Sequence, residues 1–344
     1  MERFPKLKRA DHITLAHGGG GQASGELMKN VFLPAFKNPL LETLSDGALI
    51  DPPKRGKLAF STDTFVIDPI FFPGGDIGSL SVHGTVNDLA VSGAIPKYLS
   101  AGFVIEEGFS IAELKKIVAS MAEAAKNCGV SIVTGDTKVV PKGHADKLFI
   151  NTTGIGFVPE GIDISAKNII DGDIVILSGT IGDHGTAVLT RRKGLEFDTE
   201  IVSDSTPLNS LVEAMLKAEP NIRMMRDPTR GGLSASLCEI ASISGKGIVI
   251  EEALIPVSVA VRSVCEILGL DPIHVANEGK LVAFVPSDSA ENVLKAMKKV
   301  ACGKEASIIG RVGGCPAGRV EMKTSFIGNR IIEPVIGDQL PRIC

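Results

Sequence analysis

A chain of 344 residues exceeds the length at which one hydrophobic core keeps growing, and 44% hydrophobic with 22% charged residues is the balance of an ordinary globular protein. Two packed domains are the expectation. A net charge of -4, no basic run and few aromatics (14 Phe, 1 Tyr, no Trp) exclude a nucleic-acid stacking platform and a charged membrane patch.

Residues 1–41 read as an N-terminal arm. Met1 to Lys6 lacks the apolar core of a signal peptide, and no later stretch nears membrane-spanning length, so a cytoplasmic location is expected. The arm's main feature is His17, Gly18, Gly19, Gly20 and Gly21: consecutive glycines leave backbone N–H groups free to turn toward a phosphate, or form a mobile loop. Residues 42–159 alternate strands and helices. Strands are expected near Leu58–Ser61, Tyr98–Ile105, Ser131–Thr134 and Leu148–Val158. A helix from Asp76 to Ser92 places His83 and Asn87 one turn apart on one face. A second helix opens on Ser110 with Glu113 three residues on and ends at Gly129.

Pro159-Glu160-Gly161 marks a boundary, and residues 160–335 form a second α/β unit. Its strands are expected near Ile174–Ser178, Ile248–Glu251, Leu281–Val285 and Ser307–Val312, with helices starting on Pro207 and Pro256 and another over 233–244. Residues 336–344 form a tail in which Pro341 stiffens a short arm ending in Cys344. Six cysteines without a Cys-x-x-Cys pair argue against a zinc site or disulfide framework. Cys128, Cys238 and Cys265 read as small core residues, whereas Cys344 sits outside any predicted element.

Carboxylates recur at element ends: Asp46, Asp63, Asp88 and Asp136, each beside Ser, Thr, Gly or Asn. Singly each suits a turn or cap; together they suit Mg²⁺, which takes a few carboxylates and keeps places for water and phosphate oxygens. No Walker A sequence exists, so a nucleotide is held another way. Lys138 suits a phosphate or, if desolvated, serves as a base, and Glu278 suits a general base. Within Asp227-Pro228-Thr229-Arg230-Gly231-Gly232-Leu233, Arg230 and two glycines precede the helix and suit an anion-binding start, or equally a helix cap with a surface arginine.

The runs Phe60-Ser61-Thr62-Asp63-Thr64, Val86-Asn87-Asp88-Leu89-Ala90, Thr134-Gly135-Asp136-Thr137-Lys138 and Asp227-Pro228-Thr229-Arg230-Gly231-Gly232 resemble the ATP-binding superfamily of aminoimidazole ribonucleotide synthetase. With the glycine-rich arm, Ala276-Asn277-Glu278-Gly279 and the terminal Pro341-Arg342-Ile343-Cys344, the resemblance narrows to its branch of hydrogenase maturation factors, the HypE family, over essentially the whole length. The resemblance implies an α/β (α+β) two-domain fold whose first-domain sheets join in a homodimer barrel. It implies ATP-dependent dehydration of a carbamoyl group on the terminal cysteine to a thiocyanate, the source of the cyanide ligand of nickel-iron hydrogenase. HypF is the implied carbamoyl donor and the HypC-HypD complex the implied cyanide acceptor. By that resemblance Asp46, Asp63, Asp88 and Asp136 bind metal; His17, Gly18 to Gly21, Thr64, Asn87, Thr134 and Gly135 bind ATP with Mg²⁺; and Cys344, Lys138 and Glu278 are catalytic, with the roles of Lys138 and Glu278 exchangeable. Two competing readings are another ligase or kinase of the superfamily, and a nucleotide-binding assembly protein without chemistry.

Overall fold

The computed structural model describes residues 11–194, 201–325, 328–334 and 342–344. Met1 to Lys6 and Pro341 lie outside the described residues, as does most of the tail expected over 336–344.

The first domain carries a four-stranded sheet in the spatial order Lys57–Phe65, Leu148–Val158, Ile95–Glu106, Ser131–Val140. Two of its strand pairs are antiparallel, and the last pair, Ile95–Glu106 with Ser131–Val140, is parallel. A parallel pair needs a crossover, and helix Ile111–Cys128 supplies it. The Ser110 hydroxyl accepts the Glu113 N–H at its start, and Gly129 closes it at φ +70°. Helix Ile77–Val91 begins on Asp76, whose carboxylate accepts the N–H groups of Gly78 and Ser79. It is buried around most of its circumference, because the first sheet covers one side and the second domain another.

Two strands run past their expected ends, to Phe65 and Val140. The added residues, Thr62-Asp63-Thr64 and Gly135-Asp136-Thr137-Lys138, are too polar to signal a strand. Main-chain pairing with Leu148–Val158 and Ile95–Glu106 holds them extended all the same.

The second domain is a seven-stranded sheet ordered Asn329–Ile332, Val320–Lys323, Ile248–Glu251, Ser307–Val312, Ile174–Leu177, Val282–Val285, Met224–Arg226. Helices cover both faces: Leu233, Leu237 and Ile240 pack with Val175, Ile248 and Val282, while Leu211, Met215 and Met297 pack with Ile176, Met225 and Ala283. The helices expected to start on Pro207 and Pro256 begin instead at Asn209 and Val259. Asn87 Oδ1 accepts the Leu208 N–H, and the Ser258 hydroxyl accepts the Val261 N–H, so each start lies past its proline. Cys128 and Cys265 are buried as expected; Cys238 is only partly so.

The domains are not independent. Val188 and Ala276 of the second, and Ile343 of the tail, bury within the first-domain core. The far face of the first sheet has no helix over it and exposes Phe60 (68%) and Leu58 (56%). One chain alone therefore closes no barrel. Among the described residues no helix is long and apolar enough to cross a membrane.

Candidate active site

Strand alternation sorts the first-domain candidates by face. Ser61 and Asp63 point toward helix Ile77–Val91, where the Ser61 hydroxyl donates to Asp88 Oδ2 at 2.8 Å. Thr62 and Thr64 point the other way, and the Asn151 amide donates to both hydroxyls, at 3.2 and 2.9 Å. Thr64, Asn151, Gly102 and Asp136 form one cross-strand row on the uncovered face.

Asp63 and Asp88 face the second domain, which contributes Asp227 and Glu278. The four carboxyls repel one another. Burial raises the pKa of Asp63, against the Thr64 N–H and Arg230, whose guanidinium lies 3.8 Å away. Burial also raises Asp88, opposed by the Ser61 hydroxyl and reinforced by Asp63. Asp227 is raised to about 7, by burial first and by Asp88 next. Glu278, 3% exposed, is pushed well above the usual carboxylate range by burial and then by Asp227, Asp204, Asp63 and Asp88. Its Oε1 has no hydrogen-bond partner among the described residues. A buried, unpartnered acid oxygen in a crowd of carboxyls is costly unless a ligand or cation completes it.

Neighbouring side chains fix this geometry. Asn277, fully buried, accepts the Gly182 N–H and donates to the carbonyls of Pro228 and Val275, locking the Asp227 loop to the Glu278 loop. Asp204 Oδ1 accepts the Glu278 N–H at 3.0 Å, while Lys280 Nζ lies 3.1 Å from Asp204 Oδ2. Residue 279 must be glycine, since a Cβ there would stand 1.8 Å from the Asp204 carbonyl oxygen.

Asn87, expected to hold nucleotide, also clamps the two domains. Its amide donates to the carbonyls of Thr206 and Glu278, both at 3.1 Å, and accepts the Leu208 N–H. The expected shared face with His83 is real, for His83 Nδ1 meets the Ser205 hydroxyl on the same second-domain segment.

The remaining candidates lie elsewhere. Thr134, Gly135, Asp136 and Lys138 occupy the opposite edge strand, three strand spacings or roughly 14 Å from Asp63. Lys138 is 65% exposed and 3.1 Å from Asp136 Oδ2, so within a single chain it is not desolvated. The glycine arm sits at that same edge: a Cβ on Gly18 would stand 2.6 Å from the Val139 nitrogen. His17 Nδ1 accepts the Thr14 N–H within the arm. Gly20 takes φ +77°, and Gly21 caps helix Gln22–Leu27 after Gly19. Asp46 is exposed on the run before the first strand.

The end of the chain docks at the near edge. Val66 N–H donates to the Cys344 carbonyl and Asp68 N–H to the Arg342 carbonyl, while Arg342 Nε donates to the Val66 carbonyl. Arg192 donates to the carbonyls of Asp68 and Arg342, and Arg342 pairs with Asp146. Cys344 thus lies beside the strand extension three residues past Asp63, and its side chain packs against the first-domain core.

Four oxygen donors suit a hard cation. Among the described residues no three acidic or sulfur and nitrogen ligands yet converge on one point. As a hard cation, Mg²⁺ takes one or two carboxylates and fills the rest of its shell with water and phosphate oxygens. Asp227 and Asp204 join the site without a candidate role in the sequence: Asp227 lies within a quoted motif beside Arg230 and its glycines, and Asp204 carries no sequence signal.

Residues 44–158 match the N-terminal domain of the AIR synthase related proteins, and residues 171–323 match their C-terminal domain. The chain is 51% identical to the carbamoyl dehydratase HypE of Cupriavidus necator over 336 residues, covering 98% of this chain and 96% of that one. It superposes on the crystal structure of hydrogenase maturation protein HypE in complex with ATP with a TM-score of 0.92, at 47% identity, covering 96% of this chain and 99% of the other. A HypE chain from a HypE-HypF complex matches with a TM-score of 0.79 at 50% identity, covering 90% and 99%. With both domain models matched in order and half of its residues identical to a HypE along almost its entire length, the chain belongs to the HypE carbamoyl dehydratase family of AIR synthase related proteins.

Proposed function

We infer that this chain dehydrates a carbamoyl group carried on Cys344, spending one ATP and leaving a thiocyanate for hydrogenase maturation. The observation that carries this is the pairing of the terminal residues with Val66 and Asp68, on the segment that continues the strand of Asp63, in a chain whose buried Glu278 has its carboxyl pKa raised well above the usual range. Amide oxygen is a poor leaving group, and ATP makes it a good one. The carbamoyl oxygen attacks the γ-phosphorus and ADP leaves; the nitrogen loses a proton to give an O-phosphorylated imidate. Loss of the second nitrogen proton expels phosphate and forms the C≡N bond. Glu278 is the base for the nitrogen, since a raised carboxyl pKa brings its basicity closer to working pH once the site ionises it. Asp63, Asp88 and Asp227 would hold Mg²⁺, which offsets charge on the transferring phosphoryl group. Arg230 neutralises phosphate at the mouth of the same cluster.

Lys138, Asp136, Thr134, Gly135 and the glycine arm reach this site from a second copy. In a homodimer that pairs the uncovered sheet faces into a barrel, the Ser131–Val140 edge of one chain adjoins the Lys57–Phe65 edge of the other. Burial of Phe60 and Leu58 favours that pairing. HypF supplies the carbamoyl group, a reading supported by the likeness to the HypE-HypF complex, and the HypC-HypD complex takes the cyanide. The likeness to HypE with ATP supports the choice of nucleotide.

A mixing experiment tests activity and shared site together. Cyanate installs S–CO–NH₂ on the thiol, and ATP-dependent loss of one water is followed by mass spectrometry. Lys138→Ala and Glu278→Gln are each inactive. Mixed one to one with subunit exchange, they recover about a quarter of wild-type rate, because half the dimers are mixed and each has one intact site. No recovery after verified exchange rejects the shared site; no water loss from wild type rejects the activity.

A further inference from the structure

The end of the chain lies along residues 66–68, joined to them by two main-chain bonds and by the Arg342 and Arg192 side chains, which bond main-chain carbonyls that any sequence supplies. Bonds to main-chain groups alone do not fix register, and a slip of two residues along an extended segment is a shift of roughly 7 Å. Two further side chains help fix it. Ile343 is 3% exposed within the first-domain core. His184, fully buried near the start of helix Asp183–Lys193, places Nε2 2.7 Å from the Ile343 carbonyl oxygen.

The hydrogen positions follow from the partners. A carbonyl only accepts, so Nε2 carries the hydrogen, and in the neutral ring Nδ1 accepts from the Ser203 hydroxyl 2.7 Å away. The Ser203 oxygen in turn accepts the Ser205 N–H at 3.1 Å. One tautomer satisfies every group, and burial favours the neutral ring it requires. The next residue, Asp204, holds the Glu278 N–H, and Ser205 meets His83. Three consecutive side chains therefore tie the seat of the tail to the loop bearing the proposed base.

We propose that His184 is a positioning residue of the dehydration, a latch that seats the Cys344 arm in register with Glu278 through the Ile343 carbonyl and the Ser203-Asp204-Ser205 bridge. This deepens the reading of Cys344 as carrier and rests on it. The latch itself has an observable that needs no catalysis, namely how readily iodoacetamide reaches Cys344 in the full chain. Alkylation is read on the Lys-C peptide that follows Lys323, and dehydration of the cyanate-made adduct is read on the same peptide.

His184→Ala is expected to alkylate about five- to tenfold faster and to dehydrate slower by at least the same factor, with ATP affinity unchanged. Ser203→Ala moves both rates the same way by less. His184→Gln, whose amide nitrogen can still donate to Ile343, returns both toward wild type, a rescue that a merely space-filling role would not give. Wild-type alkylation and dehydration in His184→Ala overturns the proposal, as does slow dehydration with unchanged alkylation in both His184 variants. If wild type fails to lose water, the function falls while the alkylation series still decides the latch.

Discussion

Glu278→Gln is expected to keep its carbamoyl adduct on Cys344 and to lose water from it about 10²- to 10⁴-fold more slowly than wild type. The substitution preserves shape and removes a carboxyl whose Oε1 lacks a hydrogen-bond partner among the described residues and whose pKa is raised by burial. ATP affinity should change little if Glu278 serves the carbamoyl nitrogen, as proposed, and not the phosphates. The same variant should be more stable than wild type without ligand, since it deletes one member of a repelling set of carboxyls. Single-turnover mass spectrometry and thermal melts check the two halves. A fast Glu278→Gln variant would move the proton-accepting role elsewhere, to Lys138 first.

Asp227→Asn is expected to uncouple stability from pH and to weaken Mg-ATP binding strongly. Burial, and Asp88 next, raise the folded Asp227 carboxyl from its ordinary 3.8 to about 7, so the folded chain binds the proton more tightly than the unfolded chain. The sign follows: without ligand, wild type is most stable below about pH 4 as far as this group is concerned, and loses that stability as pH rises toward about 7. The loss is on the order of 4 kcal/mol at most. Asn carries no proton to lose, so its melting temperature should fall less between pH 5 and 8. Added Mg²⁺ with ATP should raise the wild-type melting temperature most at high pH, where the carboxylates are ionised, and should barely raise that of the variant. A pH dependence identical to wild type, or full stabilisation by Mg-ATP, would remove Asp227 from the cation site.

The order of elements was largely legible because the sequence alternates strand and helix patterns around clear caps; helix Ile111–Cys128, for example, runs from its Ser110 cap to Gly129 as read. What escaped was where polar residues extend a strand, as at Thr62-Asp63-Thr64, since pairing holds them and their own pattern does not. In the site, Asp63, Asp88 and Glu278 were readable from their settings, and the structure brings them together. Asp136 and Lys138 looked equivalent in sequence, yet strand order puts them at the opposite sheet edge, a fact no local pattern contains. For Asn87 a polar residue beside an acidic one suggests a ligand, and no local pattern reveals the partners more than a hundred residues away that its amide also meets. His184 had no signal, because its worth comes from meeting a tail carbonyl 159 positions on.

The central claim is that phosphorylation turns the carbamoyl oxygen into a leaving group while Cys344 holds the carbon. Heavy oxygen placed in that carbamoyl group and followed through one turnover tests it most directly. The account predicts that the label leaves in inorganic phosphate, one atom for each thiocyanate formed on Cys344 and each ADP released. Label recovered in water, or thiocyanate formed without ATP cleavage, would contradict it.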